Sequence, residues 1–70
     1  MGSVYKVIEI VGTSESSWDD AARTAIETAA GSLRDLRVAE VVKQDVVISE
    51  DGRAESFRVR LQISFKYESD

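Results

Sequence analysis

The chain has 70 residues and a formal net charge of −4, with neither cysteine nor histidine. That length holds one domain, residues 1–70, with a core too small to be robust alone, and the missing residue types exclude disulfides, zinc–thiolate sites, thiol nucleophiles and the commonest general base. The negative charge argues against a nucleic-acid backbone binder. No apolar run nears the roughly 20 residues of a membrane span and no signal-peptide pattern is seen, so a cytoplasmic protein steadied by self-association is expected.

Val4 to Val11 reads as a first strand. Val4, Lys6, Ile8 and Ile10 share one face and Tyr5, Val7, Glu9 and Val11 the other, so both faces are largely apolar. A strand covered on one side alternates more cleanly, which points to cover by a helix on one side and another subunit on the other. Gly12-Thr13-Ser14 is expected to break the strand, Gly12 supplying backbone freedom at the corner. The stretch Ser17 to Leu36 carries the only sustained helical period. Its apolar stripe is Trp18, Ala21, Ala22, Ala25, Ile26, Ala29, Ala30 and Leu33. Ser17 is placed to cap it, Asp19 and Asp20 sit at the positive end of its dipole, and Arg34 lies near the negative end. Gly31 falls at a solvent-facing or fraying position late in the helix. Arg37 to Ile48 reads as a second strand, Ser49 to Arg53 as a turn signalled by Asp51-Gly52, and Ala54 to Tyr67 as a third strand. Phe57, Val59, Leu61, Ile63, Phe65 and Tyr67 line one face of that strand, and Ser56, Arg58, Arg60, Gln62, Ser64 and Lys66 the other. Glu68 to Asp70 is a polar tail.

The order β-α-β-β defines an α+β subunit. The helical crossover makes strands one and two parallel, and the hairpin makes strand three antiparallel to strand two. Placing strand three between them gives a three-stranded antiparallel sheet of order 1-3-2 wrapped around one helix. A helix of about 18 residues spans roughly 27 Å, whereas strands of about 12 residues span roughly 40 Å. The hairpin therefore either curls around the helix or pairs its overhang with another subunit.

Val4 to Ser14, the helix after it, Leu33 to Val42 and Ile63 to Lys66 together resemble the dodecin family across nearly the whole chain. The resemblance implies the β-α-β-β subunit and twelve copies forming a hollow homododecamer. It further implies a non-enzymatic protein that stores or sequesters riboflavin, FMN or their breakdown products at subunit interfaces. In flavin-binding members the ring stacks between tryptophans and a glutamine hydrogen-bonds it. The tryptophan position holds Val38 here, and the glutamine position aligns with Arg58. Valine offers no large flat face, and arginine has no acceptor. Gln62 lies further along the same face. Val38, Arg58 and Gln62 are the candidate ligand-binding residues by family position.

Val38-Ala39, Gln44-Asp45 and Ser16-Ser17-Trp18 look closer to the flavin-poor branch called calcium dodecins, which implies a bound Ca2+. A hard cation takes several oxygens, usually with carboxylates among them. Asp45, gathered from several copies at a symmetry axis, is the candidate metal ligand, and Glu40, Glu50 and Asp51 are weaker ones. The competing reading of Asp45 is an ion pair with Arg58, Arg60 or Lys43, or simple solvation. Arg58 and Arg60 either balance charge in an acidic assembly or hold an anionic ligand such as a phosphate group. Trp18 reads as a staple of the helix start to the sheet. No catalytic constellation stands out, so the expected partners are other copies of the chain and a small molecule or cation, with neither nucleic acid nor membrane.

Overall fold

Three strands and one helix follow in the predicted order: β1 (Tyr5–Ser14), α1 (Trp18–Ala30), β2 (Leu36–Ile48) and β3 (Ala54–Lys66). The computed structural model describes residues 2–66, so Tyr67 and the tail after it lie outside the described residues. β3 is central and antiparallel to both neighbours, giving the sheet order β1-β3-β2. The fold is thus the α+β arrangement expected.

The alternation along β3 sets the core. Val59, Leu61 and Ile63 point toward α1 and are essentially sealed from solvent. Each such side chain contributes about 1.5–3 kcal/mol through removal from water. From the helix, Ala21, Ala25 and Ala29 are the buried members of this cluster, with Ile8, Ile10, Trp18, Ile26, Leu33 and Leu36 packed against it. Small helix residues permit close approach, and the closest lies at Gly12. A Cβ added there would stand 2.8 Å from the Ala25 Cβ and nearer still to the Ala21 carbonyl oxygen.

This contact corrects the reading of Gly12. β1 does not break at Gly12-Thr13-Ser14 but stays paired with β3 as far as Ser14 opposite Phe57. Among the described residues the positive-φ glycine is Gly52, at 83° in the hairpin turn, so Gly12 supplies clearance for the helix backbone and not turn freedom.

The helix begins as expected. Ser17 is extended and its Oγ accepts from the Asp20 N–H at 3.0 Å, a cap of about 1 kcal/mol. Its end differs: α1 stops at Ala30, with Gly31 as cap, and the N–H groups of Ser32 and Leu33 both donate to the Ala29 carbonyl. Asp35, at φ 59°, then turns the chain into β2. Arg34 consequently lies past the last helical turn, which holds no basic residue. Thirteen helical residues span about 20 Å, so the mismatch with the thirteen-residue hairpin strands exceeds the one predicted. The described chain reaches 55 Å along its longest axis, and the hairpin tip stands clear of the helix with Ile48 68% exposed.

Candidate functional site

The sheet face turned away from α1 carries the candidate residues. Opposed residues of antiparallel strands share a face, so the register fixes the rows across β1, β3 and β2. They run Val7–Ser64–Val38, then Glu9–Gln62–Glu40, Val11–Arg60–Lys43 and Thr13–Arg58–Asp45. The order on β2 depends on two bulges. One falls between Leu36 and Val38, and the other, between Val41 and Lys43, leaves Val42 as the extra residue.

Arg58 and Asp45 form a bidentate ion pair, Nε to Oδ1 at 2.7 Å and Nη2 to Oδ2 at 2.8 Å. Both side chains are about two-fifths exposed. Asp45 is also held from the opposite side of the sheet. The Trp18 Nε1–H donates to its backbone carbonyl at 3.0 Å, and the Trp18 ring meets Phe57 edge-on at 5.2 Å. Trp18 therefore staples the start of α1 to the middle of the hairpin, as its position suggested.

The hydrogen bond from Arg58 holds the Asp45 carboxyl below its ordinary value against the opposing effect of desolvation, with the charges of Arg58, Lys43 and Arg60 adding to it. Asp45 in turn pushes the Arg58 guanidinium up. Because the folded value for Asp45 is depressed, the pair favours the fold at pH above the unfolded value, near about 3.9, and that contribution fades as pH falls through the folded one. A carboxyl NMR titration of Asp45 is expected to give a midpoint below the ordinary aspartate value, moving up in Arg58→Gln. An unchanged midpoint would mean that the pair does not form in solution.

The family-position residues are not brought to one point. Val38 is 62% exposed opposite Ser64, whose Oγ donates to the Val38 carbonyl at 3.4 Å. Gln62 occupies the next row between two glutamates, and Arg58 lies four residues, about 13 Å, along β3. Asp51 pairs with Arg53 and accepts from Ser49 Oγ in the exposed turn. Sequence reasoning gave Lys43 no weight beyond a partner for Asp45. The register sets it directly opposite Arg60, and only the bulge, which leaves no mark in composition, determines that.

Among the described residues no three acidic side chains gather as a cation site, and both Asp45 oxygens are engaged by Arg58. One chain does not fit a hard cation, and Asp45 could join such a site only by releasing Arg58 and meeting oxygens from other copies.

A family model described as Dodecin matches residues 4–68. The chain is 47% identical over 64 residues to calcium dodecin of Mycobacterium tuberculosis, covering 91% of this chain and 89% of that protein. It is 40% identical over 68 residues to dodecin of Thermus thermophilus, covering 97% of each. The crystal structure of the M. tuberculosis calcium dodecin, described as having a novel calcium-binding site, superposes with a TM-score of 0.84 at 44% identity, over 97% of this chain and 96% of that one. Sequence match and superposition both take in all three strands and the helix, and the chain belongs to the dodecin family.

Proposed function

We propose that this chain is a non-enzymatic protein that assembles as a hollow homododecamer and binds or sequesters a small ligand in the cytoplasm. The observation that carries the assembly is the apolar surface left bare by a single chain. Tyr5, Val7, Val11, Val38, Val41, Val42 and Ile48 are all about half exposed or more, while the buried core is three alanines and three aliphatics. A chain of this length that exposes more large apolar groups than it buries gains most of its burial from copies of itself. The absence of histidine and cysteine supports the non-enzymatic reading.

Two ligand readings follow. Flavin is the ligand the resemblance implies, with Val38, Arg58 and Gln62 at its positions, yet Val38 gives no stacking face. Ca2+ is favoured by the relative named calcium dodecin, with Asp45 as the ligand contributed by several copies. Light scattering on the eluted protein is expected to give about twelve times the chain mass, and a monomer would overturn the assembly. Equilibrium dialysis of the assembled fraction against Ca2+ and against riboflavin then separates the readings. Ca2+ uptake lost in Asp45→Asn supports the cation site, and retained riboflavin supports the flavin site.

A further inference from the structure

We propose that the end of the β2–β3 hairpin of one copy docks into a groove between β1 and α1 of the next. The inference rests on the self-assembly reading and names one contact that builds the assembly.

The groove, about 360 Å3, runs beside the free edge of β1. Its lining includes Ile10, Gly12, Ala25 and Ala29, with the exposed Thr24 and Thr28 one turn apart on the helix. No charged side chain is among the described residues that line it. The charged helix residues Asp19, Arg23 and Glu27 border a different hollow, beside Ala22 and Ile26, and Asp20 is engaged by the Ser14 Oγ at 2.7 Å. β1 is also the unguarded edge of the sheet. Its ten residues pair with β3 in unbroken register, whereas β2, the other edge, is irregular at three points. A flat edge with unpaired N–H and C=O groups is a template for another chain, and bulges blunt such an edge.

The occupant is the part of the same chain left without cover. β1 ends opposite Phe57, so among the described residues Ala54–Ser56 of β3 have no strand beside them on that side. Ile48, opposite Ala54, is the most exposed large apolar side chain among the described residues, at 68%. The hairpin end thus brings an aliphatic side chain and an open strand edge, and the groove with β1 offers an uncharged hollow and a second open edge. The charged turn residues Glu50, Asp51 and Arg53 lie beyond Ile48 and are exposed. Hairpin end and groove are different surfaces, so the contact is head-to-tail, and in a closed assembly it repeats around a ring.

Native mass spectrometry of the full-length parent, Ile48→Asp, Thr28→Glu and an equimolar mixture of the two variants tests the contact. Both side chains are exposed in the single chain, so each variant is expected to keep the far-ultraviolet circular dichroism of the parent while losing its twelve-chain species. Thr28→Ser, which leaves the groove uncharged and open, is expected to assemble as the parent does. In the mixture the intact hairpin end of Thr28→Glu meets the intact groove of Ile48→Asp, and complexes larger than either variant forms alone, containing both chains, are expected. A monomeric parent would overturn the self-assembly reading and this contact with it. A twelve-chain parent with either variant retaining its mass, or a mixture that gives nothing larger than the separate variants, would overturn the contact and leave the self-assembly reading standing.

Discussion

Gly12→Ala is expected to destabilise the protein by about 3 kcal/mol or more, the upper end for overpacking, although only one methyl group is added. The added carbon meets the Ala25 Cβ at 2.8 Å and, closer still, the Ala21 carbonyl. Neither can rotate aside, because one is a helix backbone atom and the other is fixed to it. The strand cannot yield either, since Gly12 is paired with Val59 and the ladder continues past it to Ser14. The helix must therefore lift from β1, opening the alanine seam along its length. Urea unfolding at fixed protein concentration checks this, with Gly2→Ala as the control, since nothing lies within 4 Å of a Cβ there. A midpoint matching that of the control would mean that α1 rides higher over β1 than described.

Leu61→Ala is expected to cost about 3 kcal/mol by the opposite route, leaving a void where the parent is full. Leu61 is 1% exposed and stands between Ile10 on β1 and Val41 on β2. The buried helix residues of that core are alanines, which are too short to collapse into the space. A domain of this kind holds only about 5–15 kcal/mol in total, so the change removes a large share. The same urea experiment reads it, and a loss below about 1 kcal/mol would show that the sheet closes over the gap.

Much of the fold was legible because each signal had one physical reading. The strict alternation from Phe57 to Phe65 could only be a half-covered strand, and Asp51-Gly52 could only close a hairpin, with Gly52 at positive φ. The helix end was not legible, because the apolar stripe continues through Leu33 and Leu36 after the helix has stopped. Those leucines still pack on the core from the connection and from the first residue of β2, so their apolar character answers to burial and not to helical period. Gly12 reads as turn freedom in sequence, and only the position of Ala21 and Ala25 over it shows that it supplies clearance. The candidate site was the least legible part. β2 lacks a clean alternation because its bulges reset the period, so which face holds Lys43 and Asp45 could not be read. The Asp45–Arg58 pair was one of three partnerships open to that aspartate, and the register selects it.

The staple at Trp18 has an optical consequence. It is the single tryptophan in the chain, and its indole N–H is bonded to the backbone of the residue whose carboxylate holds Arg58. Indole emission changes colour with the polarity and hydrogen bonding around the ring. A ligand that draws Arg58 off Asp45, or tugs on β2 at that point, therefore alters the light emitted from the far side of the sheet. The protein carries its own dye, one hydrogen bond away from the face where it would meet a ligand.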